Sequence, residues 1–380
     1  MARKKGFGPW DLEALRKRPP IEWIETEWRT VPVFYDGEPH GGKQTRIFAY
    51  YSAPKLAGGK VPGMVLVHGG GGKAFREWVR LWEERGYAAL AMDLGGCDGS
   101  GERHRWAGPK QDDQDKFDAI AGGVQNAWTY HAVAAIMRGV SVLAAQPEVD
   151  RERIGITGIS WGGYLTCIAA GLDDRLKLAV PVYGCGFLHE NSAWVPILQK
   201  MPEDQRRLWI ETFDPSHYIS RAELPMLWVN GTNDFAYPLD SYRKSYQAQP
   251  GPRTLCVTVG MEHGHEPGWA PVEIGIFADQ HLRDGTPLPE IKRMKVKRER
   301  VTAKFKSSTD IVEAALHCTS DTGPWPERKW QSTPAEVVGR KVHATLPEAR
   351  PLVFFLTIKD ERGATVSTEH CEMTPDGKIQ

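Results

Sequence analysis

The chain has 380 residues and balances 48 Lys and Arg against 48 Asp and Glu, enough length for one large domain and one small one. With no net charge there is no long-range field to gather nucleic acid or an anionic membrane surface, so neither is an expected partner and a neutral small molecule or uncharged polymer is. No apolar run approaches the roughly 20 residues that cross a bilayer, and the six cysteines have neither CxxC nor zinc-ligand spacing, so free thiols are expected, with no metal and no other cofactor.

The start, Met1-Ala-Arg-Lys-Lys5, leads into Gly, Pro and charges instead of an apolar stretch, and reads as something other than a signal peptide. A soluble protein is expected, cytoplasmic or secreted after loss of a leader. Ile21–Phe34 and Thr45–Ser52 flank a Gly-rich turn and predict an antiparallel pair at a sheet edge. Apolar runs rich in Val, Leu and Ile follow at Gly63–His68, Tyr87–Asp93, Arg153–Thr157, Leu176–Tyr183, Pro225–Asn230 and Thr254–Val259. They read as parallel strands buried on both faces. Between them lie helical patterns, including Phe75, Trp78, Val79 and Trp82 at i, i+3, i+4 and i+7, and a long segment from about Gln125 to Gln146 that holds His131 as a core residue. Alternation of this kind predicts a doubly wound α/β fold with a mostly parallel sheet. Residues 185–224 are too long for a simple connection and carry their own helical pattern, which predicts a cap over the site. After Asp284-Gly-Thr-Pro-Leu-Pro289 the helical period disappears. Short, β-branched, alternating segments follow, with Asp360-Glu-Arg-Gly363 as a hairpin turn, and predict a C-terminal β-sandwich. The expected domains are therefore residues 1–287, cap included, and residues 288–380.

Chemistry concentrates at four strand ends. Arg153-Ile-Gly-Ile-Thr is a strand running into Gly158-Ile159-Ser160-Trp161-Gly162-Gly163 and then into a helical stretch. A serine on so sharp a strand-to-helix turn needs small residues two before and two after it, and the new helix aims its free N–H groups at a developing anion. Ser160 is thus the expected nucleophile, which requires a histidine base oriented by a carboxylate. Asp234, just past the strand Pro225–Asn230 in Gly231-Thr-Asn-Asp234-Phe-Ala-Tyr-Pro238, is the expected acid. Two histidines compete for the base in Gly260-Met-Glu-His263-Gly-His265-Glu-Pro-Gly-Trp269. His265 is preferred, as a Gly-His pair before a proline-bearing turn into the last helix, while His263 sits nearer the strand and becomes a packed neighbour. Activity should then fall on the acid side as His265 protonates near neutrality. Reading His263, His265 and Glu266 as metal ligands lacks further ligands to complete the set. His68-Gly69-Gly70-Gly71-Gly72 follows the first central strand and offers backbone N–H groups without Cβ atoms in the way. Gly70 and Trp161 are the expected oxyanion donors. The same glycines lack the Walker spacing and its Lys-Ser/Thr ending that a phosphate loop requires. Gly71, Trp194, His263 and Trp269 are expected to line the substrate pocket, with aromatic faces suited to sugar rings.

At these motifs the chain resembles the prolyl-oligopeptidase-related branch of the α/β-hydrolases, a branch that also holds acetyl xylan esterases, cephalosporin-C deacetylases and dienelactone-hydrolase-like enzymes. Gly158-Ile-Ser160-Trp-Gly-Gly-Tyr-Leu-Thr166 is similar to the peptidase elbow, in which an aromatic follows the serine. The resemblance covers roughly residues 20–285 and implies an α/β-hydrolase fold, the triad Ser160, Asp234 and His265, and the Trp161 N–H in the oxyanion hole. The acetyl xylan esterases usually carry Gln where this chain has Trp161, and the oligopeptidases usually carry a large propeller ahead of the catalytic domain. The C-terminal β-domain looks like that of bacterial acetyl xylan esterase-like hydrolases. Together these readings predict a serine carboxylic ester hydrolase that removes small acyl groups such as acetate from a carbohydrate or small-molecule ester. The alternatives are a peptidase or amidase, and a polysaccharide-binding protein with a vestigial hydrolase fold.

Overall fold

The structure, a computed structural model, describes residues 7–55 and 58–379. The basic start Met1–Lys5 lies outside the described residues. Nine strands form the main sheet: β1 (Ile21–Trp23), β2 (Val31–Asp36), β3 (Arg46–Ser52), β4 (Val61–Val67), β5 (Ala88–Met92), β6 (Val149–Ile159), β7 (Leu176–Val182), β8 (Met226–Gly231) and β9 (Arg253–Thr258). Their order is β1-β2-β3-β5-β4-β6-β7-β8-β9. The six strands from β5 to β9 run parallel, while β1, β2 and β3 pair antiparallel, with β3 joined antiparallel to β5. Every residue of β4 and β5 is buried, as strands covered by helices on both faces must be.

The expected helices are present. Arg76–Glu84 turns Trp78, Val79 and Trp82 inward, and Trp128–Ala144 is buried along most of its length, His131 included. Among the described residues no helix is long and apolar enough to cross a membrane. Residues 185–224 carry three short helices, Val195–Lys200, Glu203–Phe213 and Ser216–Ile219. All six cysteines are free, four of them buried.

After the helix Val272–Leu282 the described residues form strands and turns, with one 3₁₀ turn at Trp325–Glu327. One antiparallel sheet joins Glu290–Ile291, Lys295–Lys297, Arg300–Lys306, Glu336–Val338 and Lys341–Thr345. The other joins Ile311–Thr319, Gln331–Pro334, Leu352–Asp360, Thr365–Ser367 and Cys371–Met373. Arg300–Lys306 alternates exposed and buried residues, placing Val301, Ala303 and Phe305 inward, the pattern of a strand with one wet face. The hairpin at Asp360–Gly363 closes with a hydrogen bond from Gly363 N to Asp360 O (2.9 Å) and a positive φ at Gly363.

These sheets hold on to the main sheet's far side. Ser367 Oγ accepts a hydrogen bond from Val257 N of β9 (3.1 Å), and Arg362 donates to the carbonyls of Thr286 and Pro287. A second attachment reaches the loop after β8: Asn233 Nδ2 donates to Pro326 O (3.0 Å) and Arg328 O (2.7 Å). An edge strand is covered in this way and the loop after β8 is tied to the C-terminal sheets.

Candidate active site

The loops at the C-terminal ends of β4, β6, β8 and β9 converge where the strand order reverses around β4, the place where open α/β sheets put their sites. Ser160 follows β6 with φ 57° and ψ −118°, a strained conformation for a residue with a side chain. Neighbouring backbone imposes it. A Cβ on Gly162 would stand 2.0 Å from the Val67 carbonyl oxygen of β4, so only glycine lets the new helix, Trp161–Leu172, rise this close to the sheet.

His263, and not His265, completes the hydrogen-bond chain. His263 Nε2 lies 2.8 Å from Ser160 Oγ and its Nδ1 lies 2.6 Å from Asp234 Oδ2. Asp234 is buried, and its other oxygen accepts the backbone N–H groups of Ala236 (2.9 Å) and Tyr237 (2.7 Å). With Oδ1 fixed by the backbone, Oδ2 is aimed at the ring. The ring itself is stacked on Tyr183, centroids 4.4 Å apart and planes within 22°, and the Tyr183 hydroxyl donates to Glu262 O (2.6 Å). Tyr183 has φ 62° at the end of β7, a backbone outlier of the sort that gathers at functional sites.

The expectation for His265 is corrected here. Its Nε2 accepts the Gly69 N–H at 3.0 Å and faces the glycine loop, not Ser160. Burial, with His68 and His263 nearby, pushes its pKa down to about 4, away from neutrality. Trp269 is the other expected pocket residue of this segment. Its ring packs on Phe75 and Trp78, between helix Arg76–Glu84 and the segment after β9. With His263 bonded to Ser160 and Asp234 and His265 bonded to Gly69, the two histidines have partners other than a metal.

The loop after β4 lies against the elbow. A Cβ on Gly69 would stand 2.9 Å from Ser160 Cβ, and one on Gly70 would stand 3.1 Å from the Trp161 ring. The N–H of Trp161 opens its helix and has no acceptor within it. Gly71 adopts φ +66° with open space about it. Trp194, from the inserted helices, meets Trp161 edge-on (centroids 4.5 Å apart) and Tyr237 at a tilt (4.9 Å). Phe235 is 61 % exposed and its ring lies 4.8 Å from His263.

Sequence reasoning missed Tyr183, Asn233 and Phe235. Phe235 carried a readable signal, an aromatic directly after the acid. Tyr183 and Asn233 act through contacts that no local pattern encodes.

Buried and half-buried histidines also set an acid limit on folding. Burial pushes the pKa of His131, His265 and His317 each down to about 4, and lowers those of His68, His104, His281 and His370. His189 moves the other way, raised by its hydrogen bond to Asp214. Between pH ~6.5 and ~4 the unfolded chain therefore binds more protons than the native one, so stability present above ~6.5 is lost as the pH falls. The urea midpoint should decline from pH 6.5 to 5, before most carboxylates titrate. A midpoint that is level or rising over that interval would overturn this expectation.

Residues 11–225 match the acetyl xylan esterase family. Acetyl esterase Axe7A of Xylanibacter ruminicola is 23% identical over 240 residues, which are 57% of this chain and 52% of that one. The chain thus spans about half the length of this curated relative. Among solved structures, the acetyl xylan esterase from Paenibacillus sp. R4 superposes with a TM-score of 0.60 at 24% identity, covering 72% of this chain and 92% of its own. The acylaminoacyl peptidase of Pyrococcus horikoshii superposes with a TM-score of 0.51 at 20% identity, covering 67% of this chain and 42% of its own. Both establish the α/β-hydrolase fold.

Proposed function

We propose, because the chain belongs to the acetyl xylan esterase family, that it is a serine esterase releasing acetate from carbohydrate or similar small-molecule esters. The observation that carries this reading is the hydrogen-bond chain from Ser160 through His263 to Asp234. Ser160 Oγ attacks the acetyl carbonyl carbon while its proton passes to His263 Nε2. Asp234 holds the ring with Nδ1–H toward itself and stabilises the imidazolium that forms. The carbonyl oxygen, now an anion, meets the N–H groups of Gly70 and Trp161. Collapse of this intermediate expels the alcohol, which takes the proton from His263 and leaves acetyl-Ser160. Water repeats the sequence, giving its proton to His263, which passes it to Ser160 Oγ as acetate leaves.

A small acyl group is supported by Trp194 packed edge-on against Trp161, the residue next to the nucleophile, since two large rings beside the serine leave little room for a long chain. A sugar as the alcohol is supported by Phe235, an apolar face held in solvent beside His263.

The test is side-by-side hydrolysis of p-nitrophenyl acetate, an acetylated xylo-oligosaccharide and an aminoacyl-anilide. Acetate release from the first two should exceed anilide cleavage by orders of magnitude. Preferential anilide cleavage would replace the esterase with a peptidase or amidase. Binding of the polysaccharide with no hydrolysis of any of the three would favour a binding protein.

A further inference from the structure

We propose that His265 is a positioning residue for the oxyanion loop: its Nε2 accepts the Gly69 N–H and, together with His68, fixes the peptide group that presents the Gly70 N–H. The proposal rests on the esterase reading of Ser160 and adds a residue that acts through the loop, without touching the reacting atoms.

Hydrogen-bond donors settle the protonation of both rings. Gly69 N can only donate, so His265 Nε2, at 3.0 Å, is an acceptor and the ring's proton sits on Nδ1. Leu94 N likewise donates to His68 Nε2 (2.8 Å), so His68 carries its proton on Nδ1 and donates it to Gly69 O (2.7 Å). Gly69 is thereby held at its N–H by one histidine and at its C=O by the other. The carbonyl of Gly69 and the N–H of Gly70 belong to one planar peptide, so the bond that fixes Gly69 O also fixes the direction of the Gly70 N–H. Gly72 N donates to the same carbonyl (3.2 Å) and closes the turn.

The arrangement is built for these two rings. A Cβ on Gly72 would stand 2.5 Å from His265 Nε2 and 2.8 Å from His68 Nδ1, so residue 72 must be glycine for both to reach Gly69. Phe75 covers His265 with ring centroids 4.7 Å apart. Burial holds both histidines on the neutral side, His265 down to about 4 and His68 also lowered, as acceptors facing N–H groups need to be. An oxyanion hole works by holding donors in place before charge develops, and small displacements of such groups are costly to the rate.

His265→Ala and His265→Gln are to be compared with wild type for kcat and KM on p-nitrophenyl acetate, alongside melting temperatures, while the wild-type His265 tautomer is read from side-chain 15N shifts. Alanine removes the acceptor, whereas glutamine can restore one through Oε1. The expected result is a kcat lower by about 10- to 100-fold in His265→Ala with KM within twofold, substantial recovery in His265→Gln, and an Nδ1–H tautomer in the wild type. A wild-type kcat in His265→Ala, a loss confined to KM, or a glutamine variant no better than alanine would overturn the proposal. If His265→Ala does not fold, the kcat of His265→Gln and the tautomer decide. A wild type inert toward the ester counts against the esterase reading alone. The tautomer then decides the clamp, and an Nε2–H form would overturn it.

Discussion

Ser160→Ala and His263→Ala should each lower p-nitrophenyl acetate turnover by about 10⁴-fold or more, with the double variant little worse than either alone. The expectation follows from the geometry of one hydrogen-bond chain, in which Ser160 Oγ has His263 Nε2 at 2.8 Å and the ring has Asp234 at 2.6 Å. A serine hydroxyl without a base is a poor nucleophile, and a base without the serine has nothing to activate, so the two losses overlap instead of adding. Neither change should alter the fold. Ser160 is 9 % exposed, and the elbow is maintained by the glycines around it, not by the hydroxyl. His265 is the informative contrast, because it lies two residues from His263 and bonds to Gly69 instead. Steady-state kinetics on folded variants decides the matter: a near-normal His263→Ala beside an inactive His265→Ala and His265→Gln would return the base to His265.

The error over the two histidines shows where sequence stops carrying information. The parallel strands were legible because burial on both faces demands uninterrupted apolar runs, and the sharp turn at Ser160 because a turn that lifts it out of the sheet tolerates few residue types around it. Asp234 could be read from its place just beyond β8. The loop after β9 offered no such constraint. Gly260 takes φ +65° and donates to Thr232 Oγ1 (3.1 Å), while Thr232 N bonds Thr258 O (3.0 Å), so the chain folds back tightly against the acid loop. That reversal brings His263 over Asp234, and by His265 the chain is already turning toward Gly69. Nearness to a strand end argued against His263 in sequence, whereas the tight turn makes it the residue within reach. Contacts distant in sequence were illegible for a different reason. Nothing near Asn233 announces that its side chain will meet the carbonyls of Pro326 and Arg328, and nothing near Tyr183 announces a ring waiting above it. Such partners are chosen by the packing of whole domains. Local pattern predicts what each segment becomes, and much less of what it touches.

Gly162→Ala should cost the fold itself, by about 4 kcal/mol or more, in the range reserved for overpacking against atoms that cannot move. Its added Cβ would lie 2.0 Å from the Val67 carbonyl oxygen and 2.7 Å from that of His68, both backbone atoms at the end of a fully buried strand. Relief would require β4 and the helix Trp161–Leu172 to separate, yet the same approach gives Ser160 its strained turn and holds Ser160 and the Trp161 ring against the glycine loop. The matched control is Gly71→Ala. That residue has positive φ but nothing within 4 Å of a Cβ, so the change should cost only about 1–2 kcal/mol of backbone strain. Urea unfolding of the two variants separates the explanations. A Gly162 variant that unfolds at the wild-type midpoint would mean that the strand and helix can part freely. In that case the strain at Ser160 could not be a consequence of how closely they pack.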